Sequence, residues 1–166
     1  MPELAGDAEL TNLVDELLYL VEVGSGSVRA DEAELGHLLD RLALAMRTLV
    51  VAAAPGAPQE IPARNREVLR KVAASRFPRF GSHAIPVRVP SDKPSARVAS
   101  AIDDIAAIAD HLHAVAWLWR NASFEQGVQY LDQSYRAHWG HPMRALQLYL
   151  HDVDVATSDA AARDAR

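Results

Sequence analysis

The sequence predicts an all-α protein: one bundle of about five to six helices with a proline-containing extended link in the middle. Apolar residues recur at three-to-four spacing over long stretches on both sides of this link, which is typical of helices that bury one face. Residues 77–94 hold four prolines, and proline lacks the backbone N–H that a helix interior needs. The chain has 166 residues, 49% of them hydrophobic, which fits one soluble globular domain.

The first half predicts a helical hairpin and a shorter third helix. Residues 8–23 and about 30–54 each carry a leucine-rich stripe, and the glycine–serine segment 24–27 separates them. Pro62 suits the first turn of a helix, because that position needs no N–H donor. The third helix is therefore expected to run from Pro62 to about Arg76.

The link between the two halves, residues 77–94, is expected to be extended. Residues 87–89 have the composition of a short edge strand, but no strong second strand is evident, so a sheet is not expected. Phe77, Phe80 and His83 are interpreted as packing residues of this link.

The second half predicts the longest helix, from about Ser95 to Asn121, and a further helical segment that begins after Ser123. Pro142 cannot donate a helical hydrogen bond, so a kink or a short stop is expected near His141.

The end of the chain carries no apolar stripe. Residues 156–166 are small or charged, so they are expected to form a frayed tail outside a single domain of residues 1–155. No stretch approaches 18 consecutive apolar residues, and acidic residues precede the first apolar run. Neither a membrane span nor a signal peptide is expected, which places the protein in the cytoplasm.

Charge is unevenly distributed along the chain. Residues 1–60 hold eleven acids and three bases, residues 61–97 two acids and nine bases, and residues 98–166 nine acids and five bases. The basic segment is interpreted as docking on its acidic neighbours within one fold. The alternative is an anion patch for nucleic acid or phosphate, which ranks last because the net charge is −5. That patch would consist of Arg64, Arg66, Arg70, Lys71, Arg76 and Arg79.

The long helix carries a strip of acidic and histidine residues beside its apolar face. Asp104 and His111 lie seven residues apart and so share one strip, and Asp103 lies on the neighbouring strip. Ordinary solvated charge is the simple interpretation, but the flanking residues are apolar. A partly buried acid at this strip would need a His or Arg partner, which the last helices are expected to supply.

A histidine-rich string occupies residues 134–142. His138 and His141 stand three residues apart, and with His151 and a carboxylate they offer ligands for zinc, iron or manganese. Their spacing differs from that of a zinc-binding helix and no glutamate lies between them. The preferred interpretation is therefore a helix–helix seam in which His138 and Trp139 form hydrogen bonds. No cofactor is predicted, and a divalent metal on His138 and His141 is the open alternative.

Three short strings carry a resemblance to a known family: residues 102–108 (IDDIAAI), 138–140 (HWG) and 150–151 (LH). Together they resemble the bacterial domain-of-unknown-function 5063 family over most of the chain. The resemblance implies the helical fold and a cytoplasmic bacterial origin, but no activity, substrate or cofactor. Family members often have a histidine where this chain has Pro142, and this departure weakens a shared metal site. The positions that the resemblance implicates are Asp103, Asp104, His138, Trp139, Gly140 and His151.

The first functional hypothesis is a non-enzymatic interaction module. It would hold a protein partner with the surface of the Asp103–Asp104 helix and of residues 138–151. A homodimer is a separate possibility, formed by an exposed apolar side of the first hairpin. The chain has no established catalytic signature, and tryptophan is favoured in interfaces. Any exposed ring among Trp117, Trp119 and Trp139 would provide an anchor.

Two other functions remain open. One is a metal-dependent or acid–base enzyme built on Asp104 and His138 with His141 or His151, which would bind an ion or a polar substrate. The other is binding of nucleic acid or phosphate by the basic third helix, residues 62–76, which ranks last.

Overall fold

The computed structural model describes residues 3–53, 56–57, 59–87 and 95–164, and it confirms the all-α prediction. The elements along the chain are α1 (Glu3–Glu22), α2 (Val28–Thr48), α3 (Arg66–Arg76), β1 (Ser82–Val87), β2 (Ser95–Ser100), α4 (Ala101–Asn121), α5 (Phe124–Ser134), a π-helical turn (Tyr135–Trp139) and α6 (Gly140–Asp164). No helix of this described part is long and apolar enough to cross a membrane.

α1 and α2 pack against each other, and polar groups fix the turn between them. Gly24 has a φ of +66°, a conformation that favours glycine. Ser27 caps α2 by accepting a hydrogen bond from the N–H of Ala30. Asp31, in the first turn of α2, accepts hydrogen bonds from the N–H and the hydroxyl of Ser25. The turn is therefore tied to the helix that follows it.

Two helix boundaries differ from the prediction. α2 ends at Thr48 rather than near residue 54, and α3 begins at Arg66 rather than at Pro62. The side chain of Asn65 accepts hydrogen bonds from two N–H groups of the first turn of α3. Proline is only tolerated at a helix start, whereas an asparagine cap stabilises one, so Asn65 sets the boundary.

The link contains a small antiparallel sheet, so the expectation of no sheet was wrong. β1 pairs with β2 in a register that places Ser82 opposite Ser100. Pro86 is tolerated because each strand of a two-stranded sheet is an edge strand. Residues 88 and 89 of the predicted strand lie outside the described residues.

β2 takes six residues that the apolar pattern assigned to the long helix. Ser100 accepts a hydrogen bond from the N–H of Asp103, so it caps α4 and the helix begins at Ala101. Before this cap the side chains alternate as in a strand, since Val98 is 72% exposed and Ala99 is buried.

α4 is the central helix and contacts α1, α3, α5 and α6. Its apolar side chains are buried along most of its length within one main hydrophobic cluster, as its stripe predicts. Even His113 is buried, and its Nε2 atom lies 2.6 Å from Oε1 of Glu22 at the end of α1. The central helix is thereby joined to α1 by a polar contact as well as by packing.

The helical segments after α5 follow one another without the stop predicted near His141. Instead the chain widens into the π-helical turn, in which the N–H of Gly140 bonds to the carbonyl of Tyr135, five residues earlier. α6 then passes through Pro142 as a helix. The wider turn comes just before the proline, where an ordinary helical ladder would be interrupted.

The end of the described chain also differs from the prediction. The frayed tail was expected over residues 156–166, yet α6 continues to Asp164. None of the side chains described from residue 156 onward is buried. The last turns of α6 are therefore helical without contributing to the core.

Candidate functional site

Asp104 lies in the first turn of α4 with 13% of its side chain exposed. Its Oδ2 atom lies 2.7 Å from Nε2 of His83, whose side chain is 4% exposed. The simple interpretation of solvated charge is therefore wrong for Asp104, and the alternative of a partly buried acid holds, with a histidine partner from β1 instead of from the last helices.

Aromatic rings enclose His83. Its ring stacks on Tyr149 of α6 with 5.4 Å between centroids, and Phe80 meets the same tyrosine edge-on at 5.9 Å. The Tyr149 hydroxyl accepts a hydrogen bond from the N–H of Gly81. The second ring nitrogen of His83 is buried and has no hydrogen-bond partner among the described residues. Phe77, Phe80 and His83 are all buried, which confirms their predicted packing role.

We expect Asp104→Asn to lower the free energy of unfolding by about 1–2 kcal/mol, because an amide holds His83 more weakly than a carboxylate does. Asp103→Asn is the matched control, since Asp103 is the preceding residue and pairs with Arg70 at the surface. The control should lose about 0–1 kcal/mol. Urea unfolding at neutral pH measures both variants, and equal losses would contradict a structural role for the buried pair.

Three residues of the predicted anion patch pair with acids of other elements. The pairs and their nitrogen–oxygen distances are Arg70–Asp103 (2.6 Å), Arg76–Asp31 (3.6 Å) and Arg79–Glu32 (3.0 Å). For these three arginines the docking of the basic segment on acidic neighbours is confirmed. Arg64, Arg66 and Lys71 are exposed and form no ion pair with the described residues.

The tryptophans have different environments. Trp139 is buried and donates a hydrogen bond from its indole nitrogen to the hydroxyl of Ser134. Trp119 stacks on Phe124 and donates to the carbonyl of the same residue. Trp117 remains half-buried and lines a surface pocket of about 230 Å³. The pocket is lined by Ile61, Pro62, Ala63, Arg64 and Trp117.

His111 and His138 stack face to face, with 5.6 Å between ring centroids and 4° between ring planes. His111 is half-buried, and its Nδ1 atom lies 3.1 Å from the hydroxyl of Tyr130. The pKa of His111 is lowered, mainly by burial. The neighbouring Asp110 acts in the opposite direction and raises it, whereas His138 and Arg66 lower it further. His111 is therefore neutral at neutral pH.

The stacking of His111 on His138 argues against a metal ion shared by these two rings. The lone pairs of an imidazole lie in the plane of its ring, so two parallel rings do not direct them at one ion. His138 and His141 are both exposed on the surface, and within the described ranges no three potential ligands lie close enough to hold a metal. The candidates His138 and His141 therefore gain no third ligand from Asp104, whose close partner is His83.

Trp139 and Gly140 belong to the core. The ring of Tyr135 meets Trp139 edge-on at 4.9 Å, and a Cβ atom on Gly140 would lie 2.6 Å from the carbonyl oxygen of Tyr135. The predicted seam is thus confirmed for Trp139 and its hydrogen bond, whereas His138 stacks on His111 at the surface.

His151 lies apart from the other histidine candidates. It lines a cleft of about 380 Å³ between α2 and α6, which also contains Arg79. The cleft residues Arg29, His37 and Asp154 were missed by sequence reasoning. Their helical spacing places Arg29 and His37 on one side of α2, but no sequence signal indicates that this side faces α6.

No family model matches this chain, and no curated protein is similar to it. Among solved structures, the chain is similar to the crystal structure of protein BF1032 from Bacteroides fragilis, with a TM-score of 0.67 and 18% sequence identity. The match covers 88% of this chain and 93% of that chain. At this identity the similarity shows a shared fold alone.

Proposed function

We propose that this protein is a non-enzymatic interaction module that holds an acidic segment of a protein partner. The binding surface would be the Trp117 face, which we define as Arg64, Arg66, His111, Trp117 and His138. One observation carries the proposal: Trp117 is half-buried beside Arg64 in a pocket large enough for one side chain.

Tryptophan and arginine are the residues most enriched among the anchors of protein interfaces. The other two tryptophans use their indole nitrogens within the fold, in bonds to Ser134 and to the carbonyl of Phe124. Trp117 has no such bond among the described contacts, and part of its ring faces solvent. It is therefore the ring that a partner can cover.

The charge of the Trp117 face favours an acidic partner. Arg64 and Arg66 have no ion pair within the described residues, although the chain as a whole is acidic. Arg66 is close enough to His111 to affect its pKa, and His111 stacks on His138, so these three basic residues are neighbours. Asp110 is close enough to His111 to act on its pKa, and this negative charge opposes binding of a long polyanion such as nucleic acid.

Membership in the domain-of-unknown-function 5063 family is also a proposal. Family membership is supported by the packing roles of Asp104, Trp139 and Gly140, because proteins of one fold would share such roles. A bacterial origin and a cytoplasmic location come with that proposal.

The test begins with a photo-crosslinking amino acid at the exposed position Ala63, which should capture a partner protein in cells. Binding of the purified partner is then measured by calorimetry. We expect Arg64→Glu to weaken binding at least about tenfold, since reversing a charge at an anchor both removes an attraction and adds a repulsion. Arg163→Glu is the control with the same charge change, on an exposed arginine near the end of α6 that has no ion pair among the described residues.

Equal binding by both arginine variants would contradict the proposal. So would retardation of short single-stranded RNA by the wild-type protein at low salt, if Arg64→Glu removed it. That second result would restore the nucleic-acid alternative.

A further inference from the structure

The cleft between α2 and α6 is a second concave surface, formed by residues other than those of the Trp117 face. Its residues on α2 recur at helical spacing, as do those on α6, so two helix faces form its walls. The two helices line the cleft with Arg29, Gly36, His37, His151 and Asp154. Phe80, which precedes β1, also lines it.

Polar pairs bridge the two sides of the cleft. Arg79 pairs with Glu32 of α2, and Gln147 of α6 donates a hydrogen bond to Asp40 of α2 at 2.6 Å. Arg79 and Glu32 neutralise each other, whereas Asp40 keeps its negative charge because the Gln147 amide that donates to it is neutral. The remaining charged groups of the cleft are those available to a ligand.

Besides Asp40, two charged side chains of opposite sign remain. Arg29 and Asp154 form no hydrogen bond or ion pair with the described residues, and neither do His37 and His151. The apolar part of the lining comes from Phe80 and Leu150. The cleft therefore offers one cation, two carboxylates, two imidazoles and an apolar surface, and one of the carboxylates, Asp40, already accepts a hydrogen bond from Gln147.

Gly36 has no side chain, so it leaves space in the cleft on the α2 side. A Cβ atom built on this glycine would meet nothing within 4 Å, so the space beside it is open. The volume of about 380 Å³ lies within the range of roughly 300–1,000 Å³ that is common for small-molecule sites.

We propose that this cleft binds a small zwitterion with an apolar body, namely an α-amino acid or dipeptide with apolar side chains. Arg29 would bind the carboxylate, and Asp154 would bind the ammonium group. Phe80 and Leu150 would contact the apolar side chains, with His37 and His151 as additional hydrogen-bond donors. A ligand with one charge would leave one of the two opposite charges unmatched.

The first test is calorimetric titration of the wild-type protein with L-leucyl-L-phenylalanine, L-leucine and L-phenylalanine. At least one of these probes should saturate the site. Its N-acetylated form and its amide form should each bind at least about tenfold more weakly, because each lacks one of the two charges. Absence of saturable binding by all three probes would overturn the proposal, as would equal binding of a capped form.

The second test locates the site with two glycine variants. Gly36→Leu places a bulky side chain in the cleft, its Cβ atom would meet nothing within 4 Å, and leucine favours a helix more than glycine does, so the protein should stay folded. Gly6→Leu is the matched control, because Gly6 also lies in a helix with open space at its Cβ position. We expect Gly36→Leu to raise the Kd of the binding probe at least about tenfold and Gly6→Leu to leave it unchanged.

Equal binding by the two glycine variants would overturn the location in this cleft. The result is separable from the proposed function, since Arg64→Glu changes the Trp117 face and should leave probe binding unchanged.

Discussion

Asp31→Ala is expected to lower the free energy of unfolding by about 3–5 kcal/mol, the largest loss that we predict for a single substitution. Asp31 is a carboxylate with only 1% of its surface exposed. It joins three parts of the fold: the turn after α1, the start of α2 and the end of α3. Removal of this carboxylate would leave the three parts without their common polar partner.

The contacts of Asp31 explain the size of the expected loss. Its Oδ1 atom accepts hydrogen bonds from the N–H of Ser25 at 2.8 Å and from the hydroxyl of Ser25 at 2.6 Å. The guanidinium of Arg76 lies 3.6 Å from the other carboxylate oxygen, with a quarter of its side chain exposed. Alanine at this position would leave a mostly buried cation without its carboxylate and remove both hydrogen bonds from Ser25.

The loss should depend on pH. Burial alone would raise the pKa of Asp31, but the hydrogen bonds from Ser25 and the charge of Arg76 outweigh it and hold the pKa below its ordinary value. A lowered pKa in the folded state stabilises the protein above the unfolded pKa of about 3.9, and this contribution is lost as the pH falls through the folded pKa. The difference between wild type and variant should therefore be constant near neutral pH and shrink below about pH 4.

Urea unfolding at pH 7 and at several acidic values measures both effects. Glu34→Ala is the control, because Glu34 is an exposed acid of the same helix without an ion pair among the described residues. A loss for Asp31→Ala as small as that of the control would show that the buried contacts do not stabilise the fold.

The helical part of the fold was predictable because apolar spacing records which side of each helix is buried. The stripes of α1, α2 and α4 correspond to the buried faces of those helices. Boundaries were less predictable, because a cap competes with the apolar pattern. Asn65 caps α3 a few residues after Pro62, which the sequence favoured as the start, and Ser100 caps α4 several residues after the position that periodicity indicates.

The contacts of the candidate residues were less predictable than their burial. The apolar flanks of Asp104 indicated a partly buried acid, but its partner His83 lies 21 residues earlier, on a strand that the sequence did not predict. His111 and His138 similarly meet only because α5 and the π-helical turn place them together. Spacing identifies faces of one element, whereas contacts between elements depend on how the whole chain packs.

The second large effect concerns the π-helical turn. We expect Gly140→Ala to lower the free energy of unfolding by about 2–3 kcal/mol, although alanine normally stabilises a helix relative to glycine. The added Cβ atom would lie 2.6 Å from the carbonyl oxygen of Tyr135 and 3.0 Å from two carbons of its ring. The carbonyl belongs to the backbone, so relief of this contact requires a shift of the turn itself.

Such a shift would also affect the neighbours of Gly140. Trp139 is 1% exposed, and its hydrogen bond to Ser134 and its edge-on contact with Tyr135 both depend on the width of the turn. Gly36→Ala is the matched control, because a Cβ atom there meets nothing within 4 Å, and it should be neutral or stabilising by up to about 1 kcal/mol. Urea unfolding followed by tryptophan fluorescence measures both variants. A Gly140→Ala protein as stable as Gly36→Ala would mean that the turn closes to an ordinary helix at no cost.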